Sequence, residues 1–200
     1  MTFQRLDQTE RSPYTRGEYA GRFAWLLVQN TLFRFSPPRA FGWRRWLLRR
    51  FGAHLGRNAA VRRSARIMHP WLLELGDWSI IGERVDVYNL GQIVIGAHTV
   101  ISQDAALCAG THDHTHPALP LLRPPITIGS GVWIAAGAFI GPGVSVGDNS
   151  VVSARAVAMR DIPPNVIAAG NPCEVVGPRR MRAQDQPADY DGAGVVAATL

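Results

Sequence analysis

The hydrophobic pattern of this chain is dominated by an aliphatic residue that recurs every six positions. These residues form three runs: Leu75, Ile81 and Val87; Ile95, Ile101 and Leu107; and Ile128, Ile134, Ile140, Val146 and Val152. A period of six fits neither an α-helix nor an alternating strand. It is typical of a coil whose turns have three short flat faces of six residues each. We therefore predict an all-β fold in which the chain winds as a parallel β-coil.

The coil model makes specific stacking predictions. Each aliphatic residue should point inward and stack on residues eighteen positions away, so that Ile128 meets Val146 and Ile134 meets Val152. We expect the small residue that follows most of these positions to let the chain turn a corner. One repeat cannot bury its core alone, and several coils must stack for stability.

Two interruptions of the period predict irregular segments. The step from Val87 to Ile95 is eight residues, which predicts a bulge of two residues near 89–92. The step from Leu107 to Ile128 is 21 residues, which we interpret as one eighteen-residue turn plus three, with residues 109–127 as an external loop. Loops on rigid scaffolds often carry function, so this loop is the first place to look for chemistry.

The chain divides into four predicted parts. Residues 1–17 form a flexible lead-in, 18–54 a helical cap, 55–182 the β-coil domain, and 183–200 a mobile tail. In the cap, Ser36 and Pro37 should separate two helices, with Ser36 as N-cap of the second. Apolar and arginine residues alternate at helical spacing before Gly52, a natural stop.

Two interpretations of the cap stay open. The helices can cover the open end of the coil, because exposed edge strands invite aggregation. Alternatively, residues 23–51 can make a peripheral contact with a membrane surface through Trp and Arg side chains. Their longest apolar stretch is far shorter than the ~20 residues that span a bilayer.

The charge distribution indicates which partners the protein can bind, and the cysteine content indicates its cell compartment. The 200 residues carry a net charge of +6, but residues 1–66 hold fourteen arginines and three acids, and the rest of the chain is acidic. This asymmetry fits a solvated basic face, or attraction to anionic headgroups or polyphosphates. Two cysteines give no disulfide framework, and the polar N-terminus does not resemble a secretory signal. We expect a cytoplasmic protein, or one peripheral at the inner membrane face, without nucleic acid as a partner.

The external loop contains three histidines, His112, His114 and His116. A neutral imidazole, with an ordinary pKa near ~6.5, can take a proton from a hydroxyl that attacks a thioester. The same His-x-His-x-His spacing is also a plausible ligand set for a zinc-type ion. A solvated loop that merely contains histidines is the third reading, and the roles of Asp113, His114 and His116 stay open.

Several stretches together resemble the hexapeptide-repeat acyltransferases, which form a left-handed parallel β-helix. They are NTLFRFSPPRAFGWRRWLLRRFGAHLG, HPWLLELGDWSIIGERVDVYNLGQIVIGAHTVISQ, CAGTHDHTH, PITIGSGVWIAAGAFIGPGVSVGDNSVVSARAV and DIPPNVIAAGNPCEVV. The chain is most similar to the colanic acid biosynthesis acetyltransferase (WcaF-like) group of that family. The resemblance implies acetyl-CoA as cosubstrate, a sugar hydroxyl as acceptor, and a homotrimer with active sites between neighbouring subunits.

The resemblance also implies site residues. In the family, the general base is a His sixteen residues after the corner glycine of the preceding coil, a count that leads from Gly96 to His112. Asp86 is the nearest counterpart of a family Asn close to the acceptor, which makes it a second catalytic candidate. The positions that match the family's CoA-binding residues are Trp133, Ala136, Ala154, Met159, Arg160 and Arg179.

The predicted function is an O-acetyltransferase that acts on a saccharide in exopolysaccharide biosynthesis. The acceptor, a sugar, a nucleotide sugar or a lipid-linked sugar, would attack the thioester directly, without a covalent acyl-enzyme and without a required metal. Two alternatives belong to other classes. One is a metal-dependent β-helix enzyme of the gamma-carbonic-anhydrase type, although its three histidines are spread over neighbouring coils. The other is an inactive β-helix scaffold.

Overall fold

The computed structural model describes residues 14–181 without a break, together with residues 3–5, 7 and 9. The predicted tail 183–200 and part of the predicted lead-in 1–17 therefore lie outside the described residues. The chain begins with helix α1 (Arg16–Val28), a π-helical turn (Gln29–Phe33) and helix α2 (Phe41–Arg50). No helix of the described part is long and apolar enough to cross a membrane.

Short strands make up nearly all of the remaining regular structure. Their bounds are β1 His54–Leu55, β2 Ala60–Val61, β3 Arg66–Ile67, β4 Leu73–Leu75, β5 Ile80–Ile81, β6 Asp86–Tyr88, β7 Ile93–Ile95, β8 Val100–Ile101, β9 Ala106–Cys108, β10 Thr111–His112, β11 Leu121–Leu122, β12 Ile126–Ile128, β13 Trp133–Ile134, β14 Phe139–Ile140, β15 Ser145–Val146, β16 Val151–Val152, β17 Val157–Ala158, β18 Val166–Ala169 and β19 Glu174–Pro178. A 3₁₀ turn, Pro70–Leu72, precedes β4.

The strands form three parallel sheets that the chain visits in rotation. Sheet A is β1-β4-β7-β12-β15, sheet B is β2-β5-β8-β13-β16-β18, and sheet C is β3-β6-β9-β14-β17. Each strand inside a sheet is hydrogen-bonded to the strand one coil before and the strand one coil after it. This is a parallel β-solenoid, so the fold class read from the six-residue period is confirmed.

The stacking register agrees with the sequence where the period is regular. Ile128 is in register with Val146, and Ile134 with Val152, as predicted. In the earlier coils the repeat is longer: Leu75 pairs with Ile95, twenty positions away. The two additional residues lie in the predicted bulge, where β6 ends at Tyr88 and β7 begins at Ile93.

The interpretation of the long step from Leu107 to Ile128 is wrong. Ile95 pairs directly with Ile128, so no complete turn is hidden between them. The 21 residues are one six-residue face with fifteen further residues that leave the coil after β9 and return at Ile126. Measured from the end of β9 to the start of β12, with the ordinary corner residues included, the excursion occupies residues 109–125 and ends two residues earlier than predicted.

The small residues after the aliphatic positions have a different role from the predicted one. A Cβ atom placed on Gly76 would lie 2.5 Å from backbone atoms of Gly96 and Ala97 in the next coil. Close approach of neighbouring coils therefore excludes a side chain here. The corner itself is made three residues after the aliphatic residue by a positive φ, for example 56° at His98 and 68° at Gly131.

Helix α1 covers the open edge of the first coil in sheet C. The indole Nε1–H of Trp25 donates to the Ile67 carbonyl at 2.6 Å, and Gln29 Oε1 accepts from the Ile67 N–H at 2.7 Å. Buried backbone groups must be paired, and here side chains replace the missing neighbouring strand. The helix is started by a capping box between Thr15 and Glu18.

Helix α2 covers the same edge in sheet B through a buried arginine. Arg44 is 0% exposed, and its Nε–H donates to the Val61 carbonyl at 2.7 Å. Its two terminal nitrogens donate to Ser36 Oγ and to the carbonyls of Pro37 and Pro38 at 2.8–2.9 Å. All of these acceptors are neutral, and burial lowers the pKa of the Arg44 guanidinium. Arg49 acts similarly in sheet A by donating to the Leu55 carbonyl at 2.6 Å.

The predicted start of the second helix is wrong. Helix α2 begins at Phe41, and its N-cap residue Ala40 makes no side-chain capping bond. The Ser36 hydroxyl donates to the Phe33 carbonyl at 2.7 Å and accepts from Arg44, so it closes the preceding turn and does not cap α2. Gly52, with φ 90°, does follow the end of α2 as expected.

A second buried polar pair joins the first two coils. His69 is 2% exposed, and its backbone N–H donates to Asn89 Oδ1 at 2.9 Å. Asn89 Nδ2 donates to the His69 carbonyl at 2.6 Å, and the His69 ring lies with Nδ1 2.9 Å from the Asn89 carbonyl. A carbonyl only accepts, so Nδ1 carries the proton of the neutral ring.

We expect Arg44→Met to lower the free energy of unfolding by about 3 kcal/mol, because it leaves buried carbonyls of the edge and turn unpaired. Urea unfolding at one fixed protein concentration measures the change. The control is Arg50→Met, which removes an exposed arginine of the same helix and should stay within about 0.5 kcal/mol of the unmodified protein. Equal stability of the two variants would contradict the edge-capping role of Arg44.

Acid should destabilise the fold through His69. Burial is the largest cause that lowers the pKa of His69 in the folded state. Between that lowered value and about 6.5 the unfolded chain binds the proton and the folded chain does not, so stability falls as pH falls below about 6.5. We expect His69→Asn, which retains a donor for the Asn89 carbonyl, to lose less stability between pH 7.5 and 5.5. Identical pH slopes in urea unfolding would refute this.

Candidate functional site

The excursion from the coil is an ordered hairpin. Strands β10 and β11 pair antiparallel, with Thr111 opposite Leu122 and His112 opposite Leu121. The hairpin leaves at the end of sheet C and returns at the start of sheet A, so it projects from one corner of the solenoid. It presents the three loop histidines on a rigid base.

The ring of His112 is held in one orientation by the hairpin. Its Nδ1 lies 2.8 Å from the Leu119 carbonyl, and Leu119 itself has a positive φ of 47° that turns the chain. Because the carbonyl can only accept, Nδ1 must carry the hydrogen. The neutral ring therefore has an unprotonated Nε2, and the exposed side chain can offer that lone pair to a substrate.

The neighbouring polar residues of the loop have internal roles. Asp113 accepts from the hydroxyl and backbone N–H of Thr115 at 2.6 and 2.9 Å, and these hydrogen bonds hold the pKa of its carboxyl below the ordinary value. His116 Nδ1 accepts from the Ala118 N–H at 3.1 Å. His114 lines a small cavity of about 150 Å³.

Among the described residues no three His, Cys, Asp or Glu side chains are grouped to hold a metal ion.

An aromatic and cationic stack ties the loop to the N-terminal segment. The Arg123 guanidinium lies 4.7 Å from the centroid of the Tyr14 ring, and Arg22 of α1 lies 4.1 Å from the same centroid. Such cation–π contacts are worth about 0.5–1 kcal/mol each when exposed. No periodicity of the sequence indicates this stack, because Arg123 lies far along the chain from Tyr14 and Arg22.

Asp86 lies on the outer face of sheet C. It is in register with Arg66 and Ala106, one strand before the hairpin departs, and it lines a cavity of about 300 Å³ beside α1. Tyr88, two residues on, pairs with Cys108 at the base of the hairpin. Burial raises the pKa of the Tyr88 hydroxyl. Sequence reasoning did not single out Tyr88.

Three of the predicted CoA-binding residues, Trp133, Ala136 and Ala154, lie on sheet B or at the corner that follows it. Trp133 is in register with Val100 and 47% exposed, and its Nε1–H donates to Ser102 Oγ at 2.9 Å. Ala136 and Ala154 follow β13 and β16, and the Ala136 carbonyl accepts from the N–H that follows Ala154. These two alanines therefore stack at one corner of successive coils.

The remaining predicted residues lie at the other corners. Met159 and Arg160 follow β17 in sheet C, and the space above Gly141 is filled by the Met159 sulfur. The Arg179 guanidinium donates to the Gly131 carbonyl at 2.6 Å, at the corner between sheets A and B. Within one protomer the structure thus places His112 at a different corner from Trp133, Ala136 and Ala154, and it does not gather the predicted residues in one cleft.

Comparisons with known proteins agree with this architecture. The family model for the bacterial transferase hexapeptide (six repeats) matches residues 125–157. The chain is 45% identical over 155 residues to an Escherichia coli K12 protein named as the colanic acid biosynthesis acetyltransferase WcaF, which covers 78% of this chain and 85% of the relative. It is 32% identical over 147 residues to the galactoside O-acetyltransferase of the same strain, 72% of each chain.

Solved structures show the same fold. A galactoside acetyltransferase in complex with coenzyme A superposes with a TM-score of 0.77 at 26% identity, over 90% of this chain and 93% of that one. A maltose O-acetyltransferase from Clostridium difficile 630 superposes with a TM-score of 0.75 at 24% identity, over 84% and 90% of the two chains. On its fold, its repeat and its identity to these relatives, the chain belongs to the hexapeptide-repeat acetyltransferases, in the group of the colanic acid biosynthesis acetyltransferases.

Proposed function

We propose that this protein is an O-acetyltransferase that moves an acetyl group from acetyl-CoA to a saccharide hydroxyl in exopolysaccharide biosynthesis. The 45% identical relative is named for colanic acid biosynthesis, and the 32% identical relative is named a galactoside O-acetyltransferase. A structural neighbour at 26% identity was solved with coenzyme A. These names support the donor, the reaction class and a sugar acceptor.

The observation that carries the mechanism is the hydrogen bond between His112 Nδ1 and the Leu119 carbonyl. It leaves the lone pair on Nε2, where it can accept the proton of the acceptor hydroxyl as that oxygen attacks the thioester carbon. The carbonyl bond also stabilises the imidazolium that forms, because its Nδ1–H still has an acceptor. The proton can then pass to the leaving CoA thiolate. General base catalysis of this kind contributes about 10²–10⁴-fold.

The acetyl donor, acetyl-CoA, would lie along sheet B and at the corner between sheets B and C. Ala136 and Ala154 end at Cβ, so the pantetheine arm can approach the backbone there, and the half-exposed Trp133 ring offers a flat apolar wall beside it. Arg160, which follows Met159, and Arg179 lie at two other corners of the solenoid and would face the phosphates of the nucleotide end from there. Asp86 would lie on the acceptor side, near the base of the hairpin that carries His112.

We propose a homotrimer because a single chain holds the general base and the donor-binding residues at different corners of the solenoid. The His112 hairpin leaves from the corner between sheets C and A, whereas Trp133, Ala136 and Ala154 lie on sheet B and at the corner between B and C. A site that joins them needs the hairpin of one subunit beside sheet B of the next. A closed ring of head-to-tail contacts supplies one such site at each interface. Alignment of both substrates there would add a further rate gain.

Replacing His112 tests the catalytic assignment. We expect His112→Gln to lower kcat by about 10²–10⁴-fold, with little change in the KM for acetyl-CoA, because only the proton acceptor is lost. The readout is release of CoA thiol in the presence of a galactoside or nucleotide-sugar acceptor. His114→Gln is the matched control, since it changes another exposed histidine of the same hairpin. An equal loss in both variants would point to loop damage and would overturn the assignment.

Mixed assemblies test the intersubunit site. His112→Gln and Ala154→Trp should each be inactive, the first for lack of a base and the second because the indole blocks the donor corner. When the two are co-expressed with different tags and purified through both, about a third of the wild-type activity should return, since one of the three interfaces in every mixed trimer combines both intact halves. No recovery in assemblies shown to contain both chains would place the site within a single subunit.

A further inference from the structure

The N-terminal cap carries an exposed apolar surface that the proposed reaction does not use. We name it the aromatic patch: Leu32, Phe35, Trp43 and Trp46, which are 52%, 80%, 42% and 52% exposed. Trp43 Nε1–H donates to the Leu32 carbonyl at 3.1 Å, and the rings of Trp43 and Trp46 stack with centroids 5.1 Å apart. The π-helical turn and helix α2 therefore hold one continuous surface.

The patch is not the face that holds the cap on the solenoid. Helix α2 buries Leu47, Leu48 and Arg44 against the first coil, and Trp43 and Trp46 lie on its other side. An aromatic pair of this size, exposed on a cap, indicates a docking surface, because soluble proteins rarely expose contiguous large apolar side chains.

Exposed arginines surround the aromatic patch. Arg39 precedes α2 and Arg50 ends it one helical turn beyond Trp46. Arg34 and Arg63 line a surface cavity of about 350 Å³ together with Phe35, Ser64, Glu83 and Arg84. We name Arg34, Arg39, Arg50 and Arg63 the arginine rim.

Acidic residues are almost absent from this part of the chain. Residues 16–66 contain twelve arginines and a single acid, Glu18. Its carboxylate already accepts from the backbone N–H and hydroxyl of Thr15 at 2.7 and 2.9 Å. Among the residues that line the cavity, the acid Glu83 stands against three arginines, Arg34, Arg63 and Arg84, so the arginine rim keeps a net positive field.

We propose that the aromatic patch and its arginine rim bind the surface of an anionic lipid bilayer. Tryptophan rings favour the headgroup region, where the ring is apolar and the N–H is polar. Arginines close to an anionic leaflet add attraction for each charge, and this attraction weakens with salt. The contact we propose is peripheral, with the helical cap toward the lipid and the solenoid extending away.

Charge favours a bilayer over a second copy of the chain as the occupant. A symmetric contact through this surface would bring the arginine rim of one copy against the same rim of the other. Like charges at such a contact are unfavourable, whereas phosphate headgroups neutralise them.

Vesicle co-sedimentation tests the proposal with the full chain. We expect binding to phosphatidylcholine vesicles that contain phosphatidylglycerol, weak binding to phosphatidylcholine alone, and loss of binding in high salt. Trp43→Ser/Trp46→Ser and Arg39→Gln/Arg50→Gln should each weaken the partition coefficient by about tenfold or more. The acetyl transfer to a soluble acceptor should be unchanged in both variants, which separates this surface from the active site.

Matched controls change the same residue types elsewhere. Trp78→Ser removes a tryptophan that is 55% exposed on the second coil, and Arg57→Gln/Arg180→Gln removes two exposed arginines outside the arginine rim. Vesicle binding that falls as much in these controls would overturn the proposal. So would equal binding to neutral and anionic vesicles, or a change in the oligomeric mass of Trp43→Ser/Trp46→Ser by light scattering, which would make the patch a contact between copies.

Discussion

The structure depends on one constraint: each short strand must hydrogen-bond to the equivalent strand of the next coil. Two- and three-residue strands make few bonds each, so the coil holds together only because the register continues from β1 to β18. At the Gly76 corner the coils approach so closely that a Cβ would meet backbone at 2.5 Å. Any additional residues must therefore leave outward at a corner, as the hairpin before Ile126 does.

The same constraint explains the ends of the solenoid. A first coil has unpaired backbone groups on its outer edge, and such edges invite association with other chains. Trp25, Gln29 and Arg44 supply side-chain partners for this edge. At the other end β19 folds back antiparallel on β18 and pairs with it. The proposed activity and the proposed membrane contact both use segments outside the solenoid core: the hairpin that carries His112 and the aromatic patch of the cap.

The period was enough to predict the fold and the register of Ile128 with Val146, because a solenoid core repeats its own geometry. It could not predict the length of the excursion before Ile128, since residues outside the coil have no effect on the core spacing. Ser36 looked like an N-cap, but its hydroxyl is taken by Arg44, a contact that local sequence does not show. His112 was selected through family resemblance, whereas the Leu119 carbonyl that orients its ring required the structure.

In the mechanism proposed here, His112 Nε2 of one subunit acts on a substrate held by sheet B of the next. A crystal structure of the assembly with coenzyme A and an acceptor sugar would show whether the two come together. We expect a sugar hydroxyl within about 3 Å of His112 Nε2, with the pantetheine arm against Trp133 of a different subunit. A coenzyme bound beside the His112 and Trp133 of the same chain, or a hydroxyl that contacts another base, would contradict this arrangement.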